Sequence, residues 1–400
     1  MSEDVRVVLS GLGGYGEHYL WYLLDKAPAH VRLVAGVDPS PQRCSRLADL
    51  RARGVSVYGS LDDALHAHAA DLTIVAAPHH YHADQSCLAL GHGSHVLCEK
   101  PLCATLADAR RMLDTRDKAQ RHVGIGYQWS FSPAVQSLKA AIGAGDFGQP
   151  QCLKTLVLWP RDRRYYARNG WAGRIAMPDG TPVLDSPVNN ATAHFLHNML
   201  YLLGPAVDRS ACPQTLTAEL YRAHEIENYD TAMLRCTLGG GTEVLFCTTH
   251  ASRELYGPVF ELRFDSAVVR YDGHAITATM SDGSTRKFGS PEEKPHAKVE
   301  SMVQAIRGEH SPECGIEAAL SQTICMLGAQ QARAIVDFVP QMVHTERDGD
   351  NSRRWVDGLD SAMKECYSRE VLPSEAGCSW AVPGASLDLS RLYREIPGFA

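Results

Sequence analysis

Glycines near the start of the chain have the spacing that lets a backbone bind a diphosphate. They lie in Gly11-Leu12-Gly13-Gly14-Tyr15-Gly16, which fits the pattern G-x-G-x-x-G. The first glycine permits a tight turn, the second lets a pyrophosphate approach the backbone, and the third lets a helix pack on a strand. Asp38 follows about 20 residues later, where a carboxylate can accept hydrogen bonds from ribose hydroxyls. The spacing therefore predicts a dinucleotide site.

The residues around Asp38 bear on which dinucleotide binds. Asp38 favours NAD, because its carboxylate would repel the 2′-phosphate of NADP. Ser40 and Arg43 follow closely, and Arg43 could reach that phosphate if Asp38 turned away. We therefore predict NAD as the cofactor and keep NADP as the alternative.

A lysine in the same region has the position for proton transfer. Lys100 follows the apolar run His95–Cys98, in Glu99-Lys100-Pro101. The carboxyl end of a parallel strand is where open α/β sheets bind ligands. Burial and neighbouring cations can lower the pKa of a lysine, so Lys100 could exchange a proton with a substrate hydroxyl. Glu99 could orient Lys100 or the nicotinamide, whereas a surface ion pair is the alternative interpretation.

A second candidate for proton transfer lies in the middle of the chain. Asn190, His194 and His197 would share one face of a helix predicted over Asn189–Leu203. His194 suits acid–base work, because the ordinary pKa of a histidine is about 6.5. Asn190 cannot accept a proton and can only position a hydroxyl or orient His194. Both histidines could instead be core residues, and a zinc site is not expected because no carboxylate or thiol partner is nearby.

The stretch Arg161–Arg174 contains five arginines, two tyrosines and a tryptophan. Arginine forks and aromatic faces are what a site for a sugar or a carboxylate needs. A solvated basic loop is the alternative. The predicted substrate contacts are Lys100, Tyr166, Arg168, Asn169, Trp171, Asn190, His194 and His197.

The first third of the chain alternates short apolar runs with helical patterns, which is typical of a parallel sheet covered on both faces. We predict an α/β Rossmann domain over residues 1–145. The predicted strands are Val5–Leu9, Val31–Val37, Val55–Tyr58, Asp71–Ala76, His95–Cys98 and His122–Gly126. The predicted helices are Glu17–Lys26, Pro41–Arg53, Leu61–His68, His82–Gly91 and Thr105–Ala119.

The pattern changes near Gly148, where several predicted strands alternate apolar and polar residues. We predict an α+β domain over residues 146–400, with a large, mainly antiparallel open sheet and a C-terminal arm from about 340. Helices are expected over Asn189–Leu203 and Glu317–Phe338. The predicted strands are Gln151–Leu158, Thr215–Arg222, Asp230–Leu238, Thr242–His250, Val259–Phe264, Ala267–Tyr271 and Ala275–Met280.

Composition excludes several classes of protein. Lysine and arginine total 39 against 46 acidic residues, a net charge of −7, so no nucleic-acid partner is expected. No apolar run of membrane-spanning length is present, and the first residues do not resemble a signal peptide. Twelve scattered cysteines without a C-x-x-C pair suggest free thiols in a cytoplasmic protein.

Three stretches resemble the Gfo/Idh/MocA oxidoreductases, the family of glucose-fructose oxidoreductase and inositol dehydrogenase. They are Ala76–His82, His95–Leu102 and Gly126–Pro133, and Ser130 departs from the family's usual arginine. The resemblance implies a cis peptide before Pro101 and a second-domain sheet that binds substrate and pairs subunits into a homodimer or homotetramer. Together with the glycine pattern, it implies cofactor contacts at Gly11, Leu12, Gly13, Gly14, Tyr15, Gly16, Asp38, Ser40, Arg43, Ala77, Pro78, His79, His82, Glu99, Lys100 and Gln128.

The resemblance also implies a function. The expected activity is NAD(P)-dependent hydride transfer on a ring carbinol or ketone of a sugar, cyclitol or glycoside, with Lys100 or His194 as proton carrier and Asn190 as a positioning group. The family commonly shows D-x-G-x-H-x-x-D, whereas Asn190 and His197 replace its two aspartates here. Redox-assisted glycoside cleavage with recycled NAD, a non-catalytic NAD(P)-binding sensor and an imine reductase are the alternatives.

Overall fold

The computed structural model describes residues 4–332, 334–396 and 399 of the 400-residue chain. They group into two compact units. The first unit comprises the chain up to Phe131 together with Lys294–Leu320. The second unit comprises Ser132–Glu293 and the chain from Ser321 onward. The domain boundary predicted after residue 145 stays a prediction.

Strands and helices alternate along the first part of the chain, and most of the later elements are strands. The strands are β1 Val5–Ser10, β2 Val31–Val37, β3 Ser56–Tyr58, β4 Leu72–Val75, β5 His95–Cys98, β6 Val123–Ile125, β7 Pro150–Leu158, β8 Thr215–Arg222, β9 Thr231–Thr237, β10 Glu243–Thr249, β11 Tyr256–Phe264, β12 Ala267–Tyr271, β13 Ile276–Met280, β14 Thr285–Gly289, β15 Val336–Asp337, β16 Val343–Asp348, β17 Asn351–Val356 and β18 Ser386–Asp388. The helices are α1 Gly16–Asp25, α2 Leu47–Ala52, α3 Leu61–Ala67, α4 His82–Gly91, α5 Leu106–Ala119, α6 Pro133–Gly143, α7 Arg163–Ala167, α8 Ala193–Leu202, α9 Ala297–Ile306, α10 Ile316–Ala332, α11 Leu359–Arg369 and α12 Ser390–Arg394.

The first unit is built on a parallel sheet of order β3-β2-β1-β4-β5-β6, which confirms the predicted Rossmann arrangement. Every residue of β4 is buried, as expected for a strand covered on both faces. Helix α9, far along the chain, adds Val299 and Met302 to the core that contains Leu9 and Ile74. The first unit is therefore completed by a segment beyond the predicted boundary.

The single helix predicted over Pro41–Arg53 is wrong. A short 3-10 turn covers Pro41–Arg43, and the backbone at Cys44 is extended before α2 begins at Leu47. The extended residue places the Cys44 thiol in the core of the first unit, where it is 6% exposed. Burial of this side chain thus accompanies the break in the helical pattern.

The second unit contains a sheet of order β14-β13-β12-β11-β7-β10-β9-β8-β15, with β18 added beside β8. Most neighbours are antiparallel, as predicted, but β7 pairs with β10 in parallel. The carboxyl ends of β7 and β10 therefore lie at one edge of the sheet. Strand β14 was missed because Thr285, Arg286 and Lys287 are exposed polar residues that give no apolar signal.

Residues after Phe338 form part of the second core and not only an arm. Leu359, Met363 and Cys366 of α11 are fully buried and pack with Leu245 and Cys247 of β10. The predicted helix Glu317–Phe338 ends at Ala332, and residue 333 lies outside the described residues. No helix in the described part of the chain is long and apolar enough to cross a membrane.

The buried face of α11 makes a prediction about stability. Replacement of Met363 by Ala should lower the free energy of unfolding by about 2–5 kcal/mol, because it removes apolar contacts and leaves a cavity. Urea denaturation of the full chain measures this loss. Ser368→Ala on the exposed side of the same helix is the matched control. Equal effects of the two substitutions would contradict a core role for α11.

Candidate functional site

The glycine-rich turn connects β1 to α1 and combines two tightly packed glycines, Gly11 and Gly16, with two open ones, Gly13 and Gly14. Gly11 has a φ of +90°, and a Cβ there would lie 2.6 Å from the Ala76 carbonyl oxygen. A Cβ on Gly16 would collide with the Gly11 carbonyl, whereas a Cβ on Gly13 would meet no atom within 4 Å. The fold therefore needs Gly11 and Gly16, whereas the space beside Gly13 is open, as the predicted approach of a pyrophosphate would need.

Asp38 stands at the carboxyl end of β2 and braces this turn. Its two carboxylate oxygens accept hydrogen bonds from the backbone N–H of Leu12, at 3.1 Å, and of Ser40, at 2.8 Å. Arg43 is exposed in the adjoining 3-10 turn. The glycine-rich turn and Asp38 thus present a fixed carboxylate at the position expected for binding a ribose.

Lys100 follows β5 at the carboxyl edge of the same sheet, and its peptide bond to Pro101 is cis, as predicted. The Lys100 backbone N–H donates to Glu99 Oε2 at 3.3 Å. His82 is buried, with Nδ1 2.7 Å from the Pro101 carbonyl and Nε2 3.0 Å from the Ala77 carbonyl. His82 therefore ties the turn after β4 to the segment that carries Lys100.

The other predicted cofactor residues also lie in the first unit. Gln128 Oε1 accepts a hydrogen bond from the Tyr15 hydroxyl at 2.9 Å, so the glycine-rich turn contacts the segment after β6. His79 follows Pro78 in a 3-10 turn and is buried. The roles of these residues toward a cofactor stay predictions.

In the second unit, the prediction that Asn190, His194 and His197 share one helical face is wrong, because Asn190 lies outside the helix. Helix α8 begins at Ala193, because the chain first makes a turn in which Thr192 donates from both its N–H and its hydroxyl to the Pro187 carbonyl. Asn190 precedes the helix, and its side-chain amide donates to Asp185 Oδ1 at 2.8 Å. Asn190 is therefore oriented by a buried carboxylate.

The two histidines of α8 differ in exposure. His194 is partly exposed, whereas His197 is 1% exposed and stacks on Tyr201 with ring centroids 5.5 Å apart. Burial, and secondarily the Lys139 charge, lower the pKa of His197 to about 3. His197 is therefore neutral at pH 7, and only His194 keeps partial access to solvent.

The predicted arginine-rich loop is ordered by cation–π contacts. The Arg161 guanidinium lies 4.7 Å from the Tyr165 ring centroid, and Arg168 lies 3.7 Å from the same ring and 5.2 Å from the ring of Trp171. The side-chain Oδ1 of Asn169 accepts hydrogen bonds from the backbone N–H groups of Trp171 and Ala172. The loop is thus a built surface of rings and guanidinium groups, not a freely solvated segment.

Sequence reasoning missed a group of polar residues beside this loop. The Tyr166 hydroxyl lies 3.2 Å from Nδ1 of His250, which is buried at the end of β10. His224 Nδ1 lies 2.7 Å from Asp230 Oδ2, and the Tyr166 and His224 ring centroids are 5.0 Å apart. Burial is the main factor that lowers the pKa of His250 and raises that of Tyr166. Both side chains are therefore neutral at pH 7 and can act as fixed hydrogen-bonding groups.

The C-terminal hairpin β16–β17 contacts the arginine-rich loop (residues 161–174) through hydrogen bonds. Asn351 Nδ2 donates to Asp162 Oδ2 at 2.6 Å, and Arg354 donates to the Ala223 carbonyl at 3.0 Å. A cavity of about 710 Å³ lies between the hairpin and the loop, with Tyr166 and His224 in its wall. The hairpin thus shapes the surroundings of a predicted substrate residue.

Comparison with known proteins supports the cofactor assignment. Residues 5–127 match the family model described as "Oxidoreductase family, NAD-binding Rossmann fold", GFO_IDH_MocA. The chain is 31% identical over 149 residues to inositol 2-dehydrogenase of Leifsonia xyli subsp. xyli, a match covering 37% of this chain and 43% of the relative. The matches to curated relatives such as this one span less than half of the relatives' length.

Similarity to solved structures extends over both units. The WlbA dehydrogenase of Bordetella pertussis, in complex with NADH and UDP-GlcNAcA, is 20% identical with a TM-score of 0.67, covering 82% of this chain and 97% of that one. The aldose-aldose oxidoreductase of Caulobacter crescentus is 18% identical with a TM-score of 0.68, covering 83% and 99%. At these identities the likeness shows a shared fold.

The open space at Gly13 allows a direct test of whether the glycine-rich turn binds the cofactor. Gly13→Val should leave the melting temperature nearly unchanged, because a Cβ there meets no atom. It should weaken NADH binding more than about 100-fold, or about 2.7 kcal/mol, because the side chain fills the pyrophosphate space. Fluorescence titration with NADH measures the affinity.

The matched control is Gly59→Val, at an exposed glycine whose Cβ would likewise meet nothing within 4 Å. Unchanged NADH affinity in Gly13→Val would show that the cofactor does not use this turn.

Proposed function

We propose that this protein transfers hydride between NAD and a ring carbinol or ketone of a sugar, cyclitol or glycoside, because residues 5–127 match the NAD-binding Rossmann model of the Gfo/Idh/MocA oxidoreductases. The match of residues 5–127 to that NAD-binding family model carries the proposal, and the glycine-rich turn between β1 and α1, open at Gly13, supports it. Asp38 supports NAD over NADP, because its carboxylate is fixed beside the turn.

Bound NAD would supply the hydride acceptor or donor, and the chain would supply binding, orientation and proton transfer. Gly13 would let the pyrophosphate approach the backbone, Gly11 and Gly16 would hold the turn in shape, and Asp38 would accept hydrogen bonds from the ribose hydroxyls. Ser40 and Arg43 lie beside Asp38 and are its proposed helpers.

The substrate hydroxyl must lose a proton when its carbon loses hydride. We propose Lys100 and His194 as the proton carriers. Lys100 stands at the carboxyl edge of a parallel sheet, and His194 is the more exposed histidine of α8. Asn190, held by Asp185, would position the hydroxyl without accepting its proton.

The loop surface supports a carbohydrate-like substrate. The apolar C–H face of a sugar can stack on Tyr166 or Trp171, and Arg168 and the Asn169 amide can bind its hydroxyls. His250 and His224 are neighbours of Tyr166, so we add them as groups that fix its orientation.

The sensor alternative is favoured by Asn190, at the position where the resemblance to the family implies an aspartate. Its side chain donates to Asp185, a buried carboxylate five positions earlier. A carboxylate is thus retained beside position 190, which supports the enzyme over the sensor. Glycoside cleavage with recycled NAD would begin with the same hydride transfer.

Substitution of the proton carriers tests the enzyme directly. Lys100→Met and His194→Gln should each lower kcat by about 10²–10⁴-fold, because general acid–base catalysis contributes that range. NADH affinity should change much less. The measurement is NAD reduction at 340 nm with the best substrate of the wild-type protein. Lys118→Met and His274→Gln, at exposed positions, are matched controls.

If both variants retain kcat within twofold of wild type, neither side chain carries the proton. Loss of activity in the exposed controls as well would point to general damage to the fold.

We also propose that subunits pair through strands β11–β13 as a homodimer or homotetramer. Helix α11 packs on β7 and β10, whereas Glu261, Val268 and Arg270 remain partly exposed on the neighbouring strands. Light scattering should give a multiple of the 43.8 kDa chain mass. Val268→Glu should shift the mass toward the monomer, and a monomeric wild type would refute the pairing.

A further inference from the structure

Lys298 is a buried cation that the proposed chemistry does not use. It lies on α9 of the first unit and is 1% exposed, although lysine is almost never fully buried unless paired. Its ammonium forms a short ion pair with Glu99 Oε1. It also lies over the rings of Tyr15 and Tyr19, 4.7 and 4.9 Å from their centroids. The charge therefore has one carboxylate and two aromatic faces as partners.

The pair is arranged so that both members stay charged. Burial alone would raise the pKa of Glu99, but the Lys298 ammonium and a hydrogen bond from Tyr19 outweigh it, and the pKa lies below its ordinary value. Burial alone would lower the pKa of Lys298, but Glu99 raises it above the ordinary value. Removal of one partner would leave an uncompensated charge in the core.

Glu99 joins Lys298 to the segment that carries Lys100. The Tyr19 hydroxyl donates to Glu99 Oε1 at 2.6 Å, and the Lys100 backbone N–H donates to Oε2 at 3.3 Å. A Cβ at Gly126 would lie 2.8 Å from Glu99 Oε1. The absence of a side chain at Gly126 thus makes room for the carboxylate, and both of its oxygens are engaged.

Tyr15 joins Lys298 to the glycine-rich turn. The Lys298 ammonium lies 3.3 Å from the Tyr15 hydroxyl, which itself donates to Gln128 Oε1 at 2.9 Å. Tyr15 directly precedes Gly16, the residue at which α1 begins. One buried ammonium therefore contacts the turn that would receive the pyrophosphate and the carboxylate that contacts Lys100.

We propose that Lys298 is a positioning residue for the cofactor and for Lys100, acting through the ionised Glu99 carboxylate and through Tyr15. The inference rests on the proposed function, because it assigns a purpose to the positions of the glycine-rich turn and Lys100. The titratable or charged groups near Glu99 are Tyr15 and Tyr19 on the α1 side, Lys298 on α9, His82 on α4, Cys98 and Lys100 on its own strand and turn, and Tyr127 after β6.

The first experiment measures melting temperature against pH without added cofactor. In the wild type the depressed pKa of Glu99 contributes stability above its unfolded value, about 4.3, and that contribution is lost as pH falls through the folded value. In Lys298→Met, burial should raise the pKa of Glu99, so stability should fall as pH rises from about 5 to 8. The gap to wild type should therefore widen with pH, reaching roughly 5–15 °C at pH 8.

A double variant separates the charge from the packing. Lys298→Met with Glu99→Gln removes both charges, so it should fold even where the single variant does not. Its melting temperature should run parallel to that of wild type between pH 5 and 8. Lys294→Met, an exposed lysine preceding α9, is the matched control and should follow wild type throughout. A gap that does not change with pH in the single variant would show that Lys298 only fills space.

The second experiment is fluorescence titration with NADH at pH 8. The single variant should bind NADH about tenfold or more weakly, as is common when a residue that orients a site is lost. The double variant should also bind weakly, because Tyr15 and Lys100 still lack their anchor. Wild-type affinity in both variants would overturn the positioning role. Failure of the wild type itself to bind NADH would instead refute the proposed function, so the two failures are distinguishable.

Discussion

A buried carboxylate stays charged only when a nearby cation or several hydrogen-bond donors compensate its desolvation, and the first unit is organised around a carboxylate that has both. Glu99 lies at the end of a central parallel strand, and Lys298 reaches it from a helix 199 positions later in the chain. Glu99 also accepts hydrogen bonds from the Tyr19 hydroxyl and the Lys100 backbone N–H. The end of β5, the start of α1 and helix α9 are thereby fixed by one electrostatic requirement.

Strand ends supply the second organising constraint, and they do so in each unit separately. In the first unit, parallel strands bring the glycine-rich turn, Asp38 and Lys100 to the carboxyl edge of one sheet. In the second unit, the parallel pairing of β7 with β10 brings Arg161 beside His250, whose carbonyl accepts the Arg161 N–H at 3.0 Å. Each unit therefore gathers its polar groups where strands end.

Sequence reasoning succeeded where the signal is local. Mainly apolar strands with helical patterns between them predicted the Rossmann sheet, and the glycine spacing predicted the tight turn after β1. It failed where partners are far apart, since nothing near Lys298 in sequence reveals Glu99. Two misses had readable signals: Leu359, Met363 and Cys366 have helical core spacing, and pairing of β9 with β10 places Asp230 beside His250. Helix α8 begins at Ala193 and not at the predicted Asn189, because the preceding residues form a turn closed on the Pro187 carbonyl. The spacing of apolar residues does not reveal such a turn.

We propose that this chain oxidises or reduces a ring carbon with a nicotinamide cofactor. The most direct measurement is single-turnover absorbance at 340 nm, with NAD bound to the purified protein and a panel of sugars, cyclitols and glycosides added in turn. The account predicts an absorbance rise with at least one ring carbinol, and loss of that rise in Lys100→Met. Firm NAD binding with no absorbance change for any compound, and none in the reverse direction with NADH and the matching ketones, would contradict it.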